Sequence, residues 1–300
     1  MNFEVQLGRT IFPNPVLAAS GTFGFGLDFP RVANAIGGIV TKAITVEPRA
    51  GNPPPRIYEF PGGIINSVGL ENPGLKRFRA EILPRLARLK SRLIVNIAGF
   101  SIEEFGLLAE SLSSERVDGF EVNVSCPNVA EGGALFGQDP KMVERVTRVV
   151  RQQTDKTVIV KLTANFIDPV ETAKAALAGG ADAVTLINTL FGLALQKDGT
   201  PFLGGRTGGI SGPAIKHFAL FCVDRVARAV AIPVIGCGGI MNGQDALDFI
   251  SAGARLVQVG TASLRNPYAP LEVWCELRLL CRKNRFKNWA DVIGRTGRSS

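Results

Sequence analysis

What this chain lacks narrows it first. Its 300 residues hold five scattered cysteines, none at CxxC spacing, and a single histidine. The absent cysteine pairs argue against a zinc site, against an iron–sulfur cluster held by this chain and against a disulfide framework. His217 lies just inside a predicted helix in GPAIKHFAL and reads as a surface or packing residue. With it set aside, no Ser–His–Asp or Cys–His arrangement remains. No apolar run is long and clean enough to span a bilayer, because Pro, Gly or Arg breaks the longest ones. The start, MNFEVQLGRT, has no basic segment followed by an apolar run, so no secretory signal is read. A cytoplasmic, reduced protein with no metal and no membrane partner is expected.

What is present is apolar and basic. Hydrophobic residues make up 46% of the chain, enough for one large core or two modest ones, and the formal charge is +8. The densest basic stretch, RLLCRKNRFK at 278–287, reads as a solvated helix face rather than a nucleic-acid patch, since no aromatic stacking array accompanies it.

Short, near-continuously apolar runs recur: PVLAAS (15–20), GGIVTKA (37–43), LIVNIAG (93–99), FEVNVS (120–125), VIVKLT (158–163), AVTLINT (183–189), PVIGCGG (233–239) and LVQVGTA (256–262). Strands buried on both faces, as in parallel sheets, have this pattern. Segments of helical period separate most of them, among them LKRFRAEILPRLARLK, SIEEFGLLAESLSS, DPKMVERVTRVVRQQ, DPVETAKAALAG and NGQDALDFISAG. Several open on Asp, Ser or Asn and several close on Gly, as helix caps do. Eight such repeats predict an α/β fold of the (β/α)8 TIM-barrel type, a single unit over 1–300. An open doubly wound sheet is the alternative, but no GxGxxG follows the first strand. Two stretches exceed the repeat, about 44–73 and about 190–212. Both would lie over the C-terminal face and are candidates for a lid and a site-shaping excursion.

Polar groups stand where the apolar runs stop: Ser20, Lys42, Asn96, Asn123 with Cys126, Lys161, Asn188 with Thr189, Gly238 with Gly239, and Gly260 with Thr261. On one rim of a barrel these form a reactive face. Lys42 and Lys161 interrupt apolar strands, where a lysine needs an anion beside it. That anion is either a core carboxylate, with Glu121 as a candidate, or a bound ligand. The turns GCGG and VGTA close the last two strands, the positions where barrels commonly seat phosphate on backbone N–H groups. A phosphorylated cofactor whose ring gathers negative charge suits this face. FMN fits best, with Lys161 as the fixed charge, and pyridoxal phosphate stays open. Cys126, in a turn fixed by Pro127, is usable as a base or nucleophile; Cys222, Cys237, Cys275 and Cys281 read as inert.

NVSCPN at 123–128, the strand-end lysines and NSVGL at 66–70 resemble the dihydroorotate dehydrogenase family. The likeness runs in order from PVLAASGTFGFG through VTKAITVEPRAGNPPPR, NSVGLENPG, LINTL, GGISGPA and GCGG to VGTA. It implies an FMN barrel that oxidises dihydroorotate to orotate. Cys126 resembles the family's base at C5, with the C6 hydride passing to FMN N5. Lys42, Asn66, Ser67, Val68, Gly69, Leu70, Asn123, Asn188 and Thr189 match substrate-holding positions. Ser20, Lys42, Ala43, Asn96, Asn123, Lys161, Ile187, Gly212, Gly238, Gly239, Gly260 and Thr261 match flavin contacts. Membrane-bound members carry serine in place of this cysteine, and NVAEGGALFGQDP with LINTLFG resembles the NAD-linked class 1B. That class implies a partner subunit with FAD and a [2Fe–2S] cluster, in a heterotetramer of two catalytic and two electron-transfer subunits. Two rivals remain: an FMN barrel like the tRNA dihydrouridine synthases, which +8 would suit, and a phosphate-ligand binding barrel without catalysis. Few residues follow the last strand to build an RNA-binding domain.

Overall fold

The eight apolar runs form eight strands in the computed structural model, which describes residues 1–124 and 133–297. They are β1 (Val16–Ala18), β2 (Gly38–Val40), β3 (Arg92–Ile97), β4 (Gly119–Asn123), β5 (Thr157–Leu162), β6 (Ala183–Leu186), β7 (Val234–Cys237) and β8 (Ala254–Val259). Each pairs in parallel with its neighbours in chain order, and β8 pairs with β1, so the sheet closes into a barrel. Closure removes both edges and buries each strand between the barrel interior and a shell of helices. That is why nearly every strand residue is buried and why the runs do not alternate.

The shell helices follow from spacing and caps. Pro140–Gln153 turns Val143, Val146, Thr147 and Val150 inward, the i, i+3, i+4, i+7 stripe of a helix lying on a core. Its N-cap Asp139 accepts from Lys141 N–H, and Asp168 and Asn242 cap Pro169–Ala178 and Gly243–Ser251 in the same manner. Ile102–Ser113 begins with Ser101 accepting from Glu104 N–H, while Glu104 accepts from Phe100 N–H at 2.7 Å. The C-terminal helix Ala269–Lys283 buries Leu277 and Cys281 and leaves its basic residues exposed, as the sequence implied. The segment 75–90 departs from one continuous helix. It runs as Gly74–Arg77, a π-helical turn at Phe78–Ile82, then Leu83–Leu86. Pro84 has no N–H to extend the ladder, and the turn before it widens.

Two elements lie outside the sequence expectations. A hairpin of Val5–Leu7 and Thr10–Phe12 closes the N-terminal end of the barrel. Thr10 donates to Asp118 O at 2.9 Å, Thr157 donates to Leu7 O at 3.1 Å, and Phe12 is fully buried. At the other end the two excursions are one structure. Ile57–Phe60, Gly63–Asn66, Gly208–Ser211 and Leu190–Gly192 pair into a four-stranded antiparallel sheet. The two central strands meet at Gly209 opposite Asn66. A Cβ at 209 would stand 2.0 Å from Thr189 Oγ1, so glycine alone admits this approach. Ile65, Ala194 and Leu203 form a small apolar cluster of their own beneath Tyr58, Phe60 and Phe202. Among the described residues no helix is long and apolar enough to cross a membrane, and no cluster of His, Cys, Asp or Glu has the geometry of a metal site.

Candidate active site

A cavity of about 370 Å³ opens between the C-terminal ends of the barrel strands and the antiparallel sheet. That volume lies within the roughly 300–1,000 Å³ range of small-molecule sites. Strand ends deliver most of its wall. Ser20 lies two residues past β1, and Lys42 and Ala43 stand just beyond β2. Asn123 and Lys161 come from β4 and β5, and Ile187, Asn188 and Thr189 follow β6. Gly238 and Gly239 follow β7, and Gly260 and Thr261 follow β8. The antiparallel sheet and its flanks supply Asn66, Val68, Gly69, Leu70 and Gly212.

The glycine turn is obligatory. Gly239 has φ +74°, and a Cβ there would lie 2.7 Å from Lys216 Cβ and 2.9 Å from Gly212 O. A side chain is thus barred by conformation and by space, which leaves backbone facing the cavity. Thr261 Oγ1 hydrogen-bonds Ser211 Oγ at 2.9 Å, tying the end of β8 to the sheet above it. Amides order the opposite wall. Asn188 Nδ2 donates to Asn123 Oδ1 at 3.4 Å, Thr189 N–H donates to Asn188 Oδ1 at 2.8 Å, and Asn66 Nδ2 donates to Gly209 O at 3.1 Å. An Asn side chain offers two donors and an acceptor, the complement of an amide-like ligand edge.

The two lysines differ from the expectation of two buried cations. Lys42 lies two residues past the end of β2, not within the strand, and its side chain is 26% exposed. It pairs with Glu71 at 3.3 Å, and Arg56 binds the same carboxylate at 2.6 Å. Lys42, and Arg56 after it, hold the Glu71 carboxyl below the usual carboxylate range. Lys161 is buried and lies 3.8 Å from the fully buried Glu121, so the core ion pair and the cavity-lining position are both occupied by one residue.

Two expected site residues point elsewhere. Ser67 is fully buried; Asn52 Nδ2 donates to both its carbonyl and its hydroxyl, so it braces the 44–73 excursion from behind. Asn96 is also fully buried and donates to Glu121 at 2.8 Å, below the cavity wall. Cys126, expected at the reacting centre, lies outside the described residues. Cys222 and Cys281 are poor nucleophiles: burial pushes their thiols up to about 11. Burial also raises Cys237, against the pull of Lys161, although Cys237 lines the cavity. His217 is exposed on Lys216–Ala229.

Sequence reasoning missed several lining residues, among them Ile57, Glu71, Ser211 and Met241. Glu71 carried a signal, an acidic side chain one position after the NSVGL segment expected to hold the substrate. Ile57 and Met241 carried none: Ile57 lies in a four-residue strand and Met241 in a loop, and neither stretch is long enough to show a pattern.

Comparison with known proteins places these residues in a family. The sequence pattern of the family described as dihydroorotate dehydrogenase matches residues 3–280. A protein of Thermoanaerobacter pseudethanolicus named dihydroorotate dehydrogenase B (NAD(+)), catalytic subunit, is 48% identical over 98% of this chain and 98% of its own length. Proteins of the same name from Lachnoclostridium phytofermentans and Geotalea uraniireducens are 46% and 47% identical, over 98% of this chain and 99% and 97% of theirs.

Proposed function

This chain belongs to the dihydroorotate dehydrogenase family, and from that premise we propose that it oxidises (S)-dihydroorotate to orotate as the catalytic subunit of an NAD-linked enzyme. One observation carries the reading: a single cavity gathers a glycine turn, a buried lysine, a half-open lysine and a set of oriented amides, drawn from strands far apart in sequence.

The residues present fit FMN. Backbone at Gly238, Gly239 and Gly260 suits a phosphate, and Lys161 suits a ring that gathers negative charge. When bound, FMN supplies the acceptor for the hydride that leaves C6 of the substrate. Lys42 attracts the substrate carboxylate, and Asn66, Asn123 and Asn188 match the ring's amide-like edges with donors and acceptors. Val68, Gly69, Leu70 and Thr189 shape the remaining wall and exclude water. Cys126, by its position in NVSCPN, takes the proton from C5 as a thiolate. Electrons leave through a partner subunit with FAD and a [2Fe–2S] cluster, in a heterotetramer of two subunits of each kind.

Anaerobic mixing of the FMN-loaded chain with dihydroorotate tests the reading. The flavin absorbance bleaches, and Cys126→Ala retains FMN while bleaching on the order of a hundredfold more slowly, the scale of a lost general base. A chain that binds FMN yet stays oxidised with dihydroorotate sinks the substrate assignment.

A further inference from the structure

Glu121 sits in the barrel interior on β4 with no exposed surface. A TIM-barrel interior is ordinarily filled by branched apolar side chains, and a buried carboxylate is costly there unless it is well partnered. Glu121 is. Asn96 from β3 donates to Oε1 at 2.8 Å. Thr185 from β6 and Gln258 from β8 donate to Oε2 at 3.0 and 2.6 Å. Lys161 from β5 lies 3.8 Å from Oε1. The barrel thus commits a side chain from each of four other strands to this one group.

Of these partners Lys161 lines the cavity; Glu121, Asn96, Thr185 and Gln258 do not. We propose that Glu121 is the positioning residue of Lys161: it holds the ammonium at the cavity wall and offsets part of the positive charge that the cavity receives. The inference rests on the flavin reading above. Three neutral donors pin both carboxylate oxygens, so Glu121 is a fixed anchor and not a mobile counter-ion. At 3.8 Å the pair attracts through charge and not through a hydrogen bond. The ammonium is thus held at the cavity wall by charge. The carboxylate lies behind Lys161 relative to the cavity. Removing its charge therefore leaves the cavity more positive, and a more positive cavity favours reduced over oxidised flavin.

The test is a double-mutant cycle read on the two-electron midpoint potential of bound FMN. It uses wild type, Glu121→Gln, Lys161→Met and the double variant, each reconstituted with FMN. Glu121→Gln favours reduced flavin by about tenfold, a rise of about 30 mV for a two-electron couple. In the Lys161→Met background the same change moves the potential by less than about a third of that. No shift, a negative shift, or an equal shift in both backgrounds overturns the proposal, because a purely structural role alters stability and not a Lys161-dependent potential. Should Glu121→Gln fail to yield a flavoprotein, Glu121→Asp keeps the charge but draws it back from Lys161. It then gives a smaller rise that also vanishes in the Lys161→Met background, and its failure to do so overturns the proposal equally. A wild type that takes up no FMN rejects the flavin reading and this inference with it. A flavin-loaded wild type with an unshifted variant rejects the inference alone.

Discussion

Two lysine–glutamate pairs stand at the mouth and the floor of one cavity, and the closer pair is the weaker. Lys42 and Glu71 approach to 3.3 Å, but their side chains are 26% and 45% exposed. Lys161 and Glu121 stand 3.8 Å apart at 8% and 0% exposure. Water and salt screen the first pair, and both partners remain free to trade for a ligand. The second is buried, and its carboxylate, fixed by three further donors, has no solvent to fall back on. Burial, more than distance, decides what an ion pair contributes. The same contrast separates two tasks: a pair that opens suits a substrate that comes and goes, and a pair that stays suits a cofactor that remains.

The sharpest way to break the comparison is stability. Glu121→Ala leaves three buried donors without their acceptor and removes the counter-charge beside Lys161, and costs about 3–5 kcal/mol in denaturant unfolding. Glu71→Ala costs less than about 1 kcal/mol, the range of exposed pairs. Equal losses would show that the two pairs do not differ in kind.

Ligand binding separates them next. Lys42→Met weakens orotate by about 10- to 100-fold, the loss of a charge-assisted contact, and weakens FMN less than it weakens orotate. Lys161→Met reverses the pattern, releasing FMN more readily in equilibrium dialysis. A common effect on both ligands in both variants removes the division of labour.

The smallest effect is in pH. Lys42 holds the Glu71 carboxyl below its ordinary value of 4.5. The stabilisation is therefore complete above 4.5 and is lost as pH falls through the lower folded-state value. Because Glu71 is so exposed, the change amounts to about a few tenths of a kcal/mol. Lys42→Met flattens unfolding free energy against pH in that acidic window, and a slope unchanged by the substitution would separate Glu71 from Lys42.

Much of the barrel was legible in the sequence because its strands are buried on both faces. VIVKLT and LVQVGTA have no solvent side to alternate with, and the glycine turns that follow β7 and β8 stand out by composition. Most of the expected site residues line one cavity for the same reason: they are strand ends, and a closed parallel barrel brings all strand ends to one rim. Ser67 and Asn96 show where that logic stops. Both belong to the right segments, yet their side chains turn to Asn52 and to Glu121, and nothing in a linear string records the direction of a side chain in a loop or on a barrel wall. The excursions were visible as departures from the repeat, but not as halves of one sheet. Gly63–Asn66 and Gly208–Ser211 lie far apart in sequence, and each strand alone is too short to declare its partner.

The sequence by itself determined the eightfold alternation, the rim on which polar groups collect and the family to which they belong, because these follow from local burial and from residues read in order. Only the tertiary structure decided which lysine is wet and which is dry, that Glu121 draws partners from four strands, and that two remote loops roof the cavity together. Those outcomes depend on contacts between residues distant in the chain, whose energies exist only once the barrel has closed and expelled its water.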